Sequence, residues 1–444
     1  MGAADEHAGE RRYPPPGRAW WTVTVLTALY ALSLLDRQII SLMIDDIRRD
    51  LQVSDAQIGL LQGLAFAAFY AVFGLAFGRA VDRSSRRGVI FVGVALWSVA
   101  AAACGLARSF GQLFAARVGV GAGEAALAPA AYSMISDSFP KSRLAFALSV
   151  FGVGSTIGGA LSFALGGAVL RLLPAEGMVA PLLGHLSAWQ LVFLLTGAPG
   201  LLLAFLIFMV VDPVSRREAA AEAGVGQAVA FLRSRRRFVL GHFFGFALMS
   251  VCAYGILSWE AMYFHRLFGW SLPKVALVLT GMNLVMALGG PFITGPLVDR
   301  WFRAGCKDAH LRLFIVCGLL QVVLVVAAVA VRDPVFSVCG FVAWGLVANC
   351  PGPAAAALQI VTPPALRGQV SAVYILVFNL MGAGFGGTIV GAFTSYLFKD
   401  DLKVGWSIAL SFLIFMPIAL ALLASALRPM REAVAAAELA EAAG

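Results

Sequence analysis

The feature that most constrains this chain is a succession of apolar runs, each about 20 residues long, separated by short polar breaks. Wound as an α-helix at about 1.5 Å per residue, such a run crosses about 30 Å of hydrocarbon. In lipid every backbone N–H and C=O must be satisfied within the protein, so only helices and closed barrels span it. Barrel strands alternate apolar and polar residues over about ten positions, and these runs do not alternate. The composition agrees, with 60% hydrophobic and 13% charged residues, where a soluble domain carries about 25% charge. A water-exposed surface could not hide that much apolar side chain.

Runs and breakers define twelve spans at about 20–43, 56–79, 88–107, 110–136, 144–171, 188–211, 238–263, 274–297, 311–331, 335–359, 367–398 and 404–427. The expected fold class is an all-α membrane protein. It would have an N-terminal tail (1–19), a six-helix bundle (20–211), a linker (212–237), a second six-helix bundle (238–427) and a C-terminal tail (428–444). About two thirds of the 33 lysines and arginines fall in the termini and the gaps on their side. That asymmetry predicts both termini in the cytoplasm, across an inner membrane if the chain is bacterial. It also accounts for the net charge of +9 without nucleic acid. The basic run Arg233–Arg237 reads as a linker that fixes orientation, with anionic lipid as an alternative partner. The six cysteines (Cys104, Cys252, Cys306, Cys317, Cys339 and Cys350) lie in or beside apolar runs without metal-ligand spacing.

The halves repeat one another. Gly78-Arg-Ala-Val-Asp82-Arg83 follows the second span, and Gly295-Pro-Leu-Val-Asp299-Arg300 follows the eighth. Pro140-Lys-Ser-Arg143 precedes the fifth span, and Pro364-Ala-Leu-Arg367 the eleventh. Two parallel six-helix repeats place a substrate cavity at their interface near the midplane.

Gly78-Arg-Ala-Val-Asp82-Arg83-Ser-Ser-Arg86-Arg87 resembles the signature loop of the major facilitator superfamily. The resemblance covers nearly the whole chain. It implies a conformational latch formed by Gly78, Asp82, Arg83, Arg86 and Arg87, with Gly295, Asp299, Arg300 and Arg303 as a weaker second copy. Ser85 stands where the signature has its second glycine, so the turn there is expected to differ. Within the superfamily, Tyr30-Ala-Leu-Ser-Leu-Leu-Asp36-Arg37 and Arg117-Val-Gly-Val-Gly-Ala-Gly123-Glu124-Ala125 resemble the spinster group. That group carries sphingolipids or lysophospholipids. In the fifth span Ser155 follows Gly154 where the antiporter signature wants proline, so the resemblance does not imply exchange.

Few ionisable residues lie inside the spans, and a central charge costs about 2.5–3.5 kcal/mol on insertion scales. Asp36 and Arg37 point about 100° apart on their helix, so each is expected to find a partner elsewhere. Arg117 lies close to the depth of Asp36, and Glu124, seven residues further in and near the midplane, shares almost the same face of the fourth span. The functional reading is a proton switch, with Asp36 as main titrating group, Glu124 second, and Arg37 and Arg117 holding the carboxylates or an anionic head group. The alternative is a static ion network that orders the first and fourth spans. Glu260, at the outer end of the seventh span, is expected to face either the cavity or water. Tyr254 and Asn379 join it as candidates to contact substrate, while Asn283 and Asn349 read as contacts between helices. Glycines of the fifth span (Gly152, Gly154, Gly158, Gly159) and of the eleventh (Gly382, Gly384, Gly386, Gly387) read as close-contact and hinge positions.

The expected function is alternating-access transport of an amphipathic, lipid-like substrate by a monomer, with protons as coupling ion and no other cofactor or metal. A small organic anion such as a sugar acid is the second transporter reading. Neither HExxH nor GxSxG occurs, which argues against an intramembrane enzyme, and no phosphate-binding loop is present to use ATP.

Overall fold

A computed structural model describes residues 13–139, 141–174, 177–181, 184–212, 225–348, 351–363 and 366–443, without the side chains of 75, 78–83, 141–142, 144–146, 149, 156, 180, 225, 291, 351, 368 and 437–443. Residues 1–12, Pro140, Asn349, Cys350, Pro364 and most of the linker therefore lie outside it.

The first half comprises α1 (Pro16–Gln38), α2 (Ile44–Leu51), α3 (Asp55–Gln62), α4 (Leu64–Arg83), α5 (Arg86–Cys104), α6 (Phe110–Glu124), α7 (Leu127–Ser138), α8 (Lys141–Leu172) and α9 (Ala188–Ala204). A short antiparallel hairpin, β1 (Met178–Ala180) with β2 (Gly184–Leu186), joins α8 to α9. The linker contains α10 (Val225–Ser234). The second half comprises α11 (Arg236–Phe268), α12 (Leu272–Arg303), α13 (Ala309–Ala330), α14 (Pro334–Ala348), α15 (Pro351–Val361), α16 (Arg367–Ala392) and α17 (Val404–Ala443).

Among the described residues, eleven helical stretches are long and apolar enough to cross a membrane. The fourth expected span is the exception, because it divides into α6 and α7 at Ala125–Ala126. Pro129 explains the break: it has no N–H to give the Ala125 carbonyl one turn back. The last span also differs from expectation, since α17 continues as helix through the segment read as a tail.

Local signals set the other ends. Ser54 and Gln57 form a reciprocal capping box that starts α3. Ser85, the residue that departs from the signature loop, accepts a hydrogen bond from the Gly88 amide and so caps α5. Gly269 ends α11 in the left-handed conformation that glycine adopts without strain.

Within the halves, α1 packs on α8 and α11 packs on α16 and α17. Between the halves, α3 and α4 cross α16, and α8 lies along α12. The first of these crossings requires bare backbone. A Cβ on Gly63 would overlap the Gly384 carbonyl, and one on Gly59 would stand 2.6 Å from the Gly387 carbonyl. Small residues permit such approaches where lipid gives no hydrophobic drive for association.

Candidate functional site

The site forms where α1 ends. Its last α-helical residue is Gln38, and the chain tightens into a 3₁₀ turn over Ile39–Leu42. A helix end leaves carbonyls without intrahelical donors. Arg117 of α6 supplies them, donating Nη1 to the Asp36 carbonyl (3.2 Å) and Nη2 to the Arg37 carbonyl (3.4 Å). A buried cation at a helix C-terminus also complements the helix dipole.

This corrects one sequence expectation. Arg117, only 1% exposed, is engaged with the backbone of α1 and holds no carboxylate by hydrogen bond. The carboxylate pair is instead Arg37 with Glu124. Arg37 Nη2 lies 2.5 Å from Glu124 Oε2, and Ser33 Oγ donates to the same oxygen at 2.7 Å. The Arg37 guanidinium stands over the Phe66 ring at 4.1 Å and the Tyr70 ring at 5.5 Å, geometry suited to cation–π attraction.

Exposure grades the cluster. The Arg37 side chain keeps 21% of its surface, while that of Glu124 has none. Asp36 is 2% exposed, and neither carboxylate oxygen has a hydrogen-bond partner. Asp36 therefore does not line an open path here. It is sealed inside the first half, within electrostatic reach of Glu124 and Arg117.

The sequence also missed Tyr30, Phe66 and Phe151 as neighbours of the cluster. Tyr30 of α1 stacks on Phe151 of α8 and lies within electrostatic reach of Arg37, Tyr70, Tyr132 and Tyr254. Tyr254 comes from α11, so the second half reaches this cluster as expected. Asn379 sits half-buried on α16, the helix that α3 and α4 cross. Glu260 faces neither cavity nor water, because it is fully buried.

A second constellation closes the end of the bundle away from the termini, here the far end. Arg266 near the end of α11 grips Asp45 of α2 (2.6 Å) and Asp55 of α3 (2.6 Å). Arg48 adds Asp55 (3.1 Å) and Asp401 (2.6 Å), the latter from the turn before α17. Burial alone would raise the Asp45 carboxyl, but hydrogen bonds and charge from Arg266, with Arg48 behind, hold it below its ordinary value. Further hydrogen bonds join the two halves from mid-bundle to this far end: Ala56 to Ser395, Thr388 to Gly59 and Thr280 to Ala160.

At the near end, Arg86 of the expected latch ties three helix ends together. Its Nε meets Asp212 at 2.7 Å and its Nη1 meets Asp137 at 2.6 Å. Arg87 donates to the Val210 carbonyl at 3.2 Å. Gly78, Asp82 and Arg83 lie on the last turns of α4, with their side chains outside the described residues. In the second copy, Arg303 donates to the Asp299 carbonyl one turn back. The acid that crosses elements there is Asp308, held by Arg312 (3.1 Å) and Arg431 (3.6 Å).

Residues 26–387 match the family model described as the Major Facilitator Superfamily. The chain belongs to the major facilitator superfamily. Among relatives in that superfamily, an "MFS-type efflux pump" of Mycolicibacterium smegmatis is 30% identical over 87% of each chain. "Protein spinster" of Drosophila melanogaster is 26% identical over 86% of this chain and 62% of its own length. A "Hexuronate transporter" of Bacillus subtilis is 26% identical over 66% of this chain and 68% of its own. The fold matches a solved bacterial homologue of the human lysosomal transporter spinster, described as inward-facing and unoccupied. The TM-score is 0.82, with 24% identity over 95% of this chain and 99% of that one. This superfamily member is thus a spinster-like membrane transporter, not an enzyme.

Proposed function

We propose that this transporter works by alternating access and moves an amphipathic substrate with an anionic head group, coupled to protons. The observation that carries the reading is the graded cluster at the end of α1. Arg37 is paired with Glu124 yet partly open, and Asp36 is unpaired behind it. An ionised carboxylate without a donor is costly in a buried site. On this reading Asp36 holds a proton while the far end is sealed. When the halves rock, Arg37 leaves Glu124 and the cluster takes up water. The Asp36 proton then passes to that water. An arriving anionic head group competes with Glu124 for Arg37, so substrate binding and proton movement are linked through one guanidinium.

The orientation expected from basic residues puts the far end outside, which makes this an inward-facing arrangement. The aromatic walls contributed by Tyr30, Phe66, Tyr70 and Tyr254 suit an apolar tail beside the head group. A sugar acid is the second reading, favoured by the hexuronate relative. Tyrosine hydroxyls and an arginine would also hold a hydroxylated carboxylate.

The test is pH-gradient-driven uptake into proteoliposomes, with lysophospholipid and hexuronate as competing solutes. The lipid-like reading expects lysophospholipid to compete and hexuronate not to. Unchanged proton dependence in Asp36→Asn rejects the proton assignment whichever solute is carried.

A further inference from the structure

We propose that Glu260 is a second protonation site, housed in the second half, which holds a proton while the far end is closed and gives it up when that end opens. The inference rests on the alternating-access reading above but not on the role given there to Asp36.

The first observation is packing. Glu260 is completely buried, and neither carboxylate oxygen has a hydrogen-bond partner by distance and angle. The polar side chain beside it is Asn283 of α12, whose Nδ2 gives one hydrogen to the Leu279 carbonyl at 2.9 Å and has a second, neutral one to offer.

The second observation is placement along α11. Ala253, Tyr254, Leu257 and Ser258 are half-exposed, and Tyr254 lies within electrostatic reach of Arg37 across the interface. That stripe therefore faces the path between the halves. Position 260 lies one turn beyond Leu257 and two beyond Ala253, on nearly the same face. Exposure stops there, since 259–264 are all buried. About 9 Å further along the helix, Arg266 enters the ion network that closes the far end. Glu260 thus sits just beyond the blind end of the accessible stripe and beneath the seal.

The third observation is the repeat. The offset from Gly78 to Gly295, or from Arg143 to Arg367, carries Asp36 into the segment 253–260 of α11. Each half thus holds an unpaired buried acid toward the far end of its first helix, and only the first-half acid has an arginine within reach.

No charged group on the elements packed against α11 comes within electrostatic reach of the Glu260 carboxyl among the described residues. On α12 the nearest is Lys274, about 14 Å along that helix from Asn283, with its ammonium over Trp270. The turn 39–42 brings Ser41, α14 brings Ser337, and α17 brings Ser407 and Ser411, all neutral. Lys403 stands at the end of the turn before α17, and α16 carries no acid or base between Gln369 and Ala392 except Tyr374. On α11 itself Tyr263 is bonded to Ala328 and Ser337, His265 to the Trp270 carbonyl, and Arg266 is saturated by its aspartates. Among the described residues no cation compensates a negative charge at position 260 in this state, and Asn283 offers only a neutral amide hydrogen. Opening the far end admits water, which compensates that charge.

Two measurements test this on the full-length protein in lipid. The first is the infrared carbonyl band of protonated carboxylic acids in Asp36→Asn, where Asp36 cannot contribute. The proposal expects a band at neutral pH that disappears in the double variant Asp36→Asn/Glu260→Gln. No difference between the two variants overturns it. The second is the distance between spin labels on the far-end loops of the two halves. In wild type the open fraction should rise with pH, by up to about tenfold per pH unit for each linked proton. In Glu260→Gln that rise should be shallower by one proton and the far end more closed, whereas Glu260→Asp should retain it. A Glu260→Gln protein that keeps the wild-type pH response overturns the proposal. If Asp36→Asn keeps proton-driven uptake while Glu260→Gln shows the shallower distance response, the Asp36 assignment fails and this one stands.

Discussion

The far-end network and the cluster at the end of α1 use the same side chains to opposite effect. At the far end, two arginines and three aspartates from both halves satisfy one another, and Arg48 and Arg266 each bridge at least two acids. In the cluster all four groups belong to one half, Arg117 is spent on backbone, and Asp36 is left without a donor. A satisfied network across an interface holds one arrangement of two bodies. An unsatisfied one within a body costs free energy, and a proton or a ligand can relieve that cost. The contrast teaches that charge count does not separate a lock from a switch, and that the state of pairing does.

The contrast breaks first at Asp36. Asp36→Asn should abolish the pH-gradient-driven component of uptake while leaving counterflow of substrate, measured in proteoliposomes. A loss of both would mean that Asp36 is structural. Next in size is the seal. Arg266→Ala takes two hydrogen bonds from buried Asp55 and leaves it Arg48 alone, which costs about 3 kcal/mol, the low end for a broken buried pair. That shifts the closed-to-open ratio by about a hundredfold, readable as labelling of a cysteine placed at Ser395. If the site remains protected, the network is not the lock. Arg117→Ala should lower thermal stability, since it strips two carbonyls at the end of α1 of their donor, at about 1–3 kcal/mol. Lysine at this position should restore only part of that, because its single ammonium lacks the fork that reaches both carbonyls. A melting curve indistinguishable from wild type would return Arg117 to the carboxylates.

The acid response sharpens the same comparison. Asp45 lies below its ordinary value, so its contribution to the seal is complete above that value and is lost as pH falls through the lowered one. Spin-label distances should therefore show the far end loosening in acid through Asp45. At alkaline pH it should loosen through Glu260, with closure strongest between. An acid limb that survives Asp45→Asn removes Asp45 from the account. The smallest effect belongs to Arg48 with Asp401. That aspartate is 52% exposed, and Asp401→Asn should change stability by no more than about 1 kcal/mol.

Much of the cluster was legible beforehand because intramembrane charge is scarce. Asp36, Arg37, Arg117 and Glu124 stood out for what they cost in lipid, and the depth count along two helices brought them together. Their pairing was not legible. Arg117 was expected on a carboxylate and sits on the carbonyls of α1, because nothing in the sequence announces that α1 tightens after Gln38. The far-end network went unread for a different reason. Asp45, Arg48, Asp55, Arg266 and Asp401 lie in or beside interhelical loops, where charge is unremarkable. Their meaning depends on contacts between residues more than 200 positions apart.

The sequence by itself determined the solvent, the helical class and the family, because each is written in motifs or in periodicity and composition that lipid enforces on every stretch independently. Only the tertiary structure decided which charges meet, which end is shut, and that Glu260 is sealed from both cavity and water. Those outcomes depend on the relative placement of two bodies, and a single helix carries no record of what the other body brings to its face.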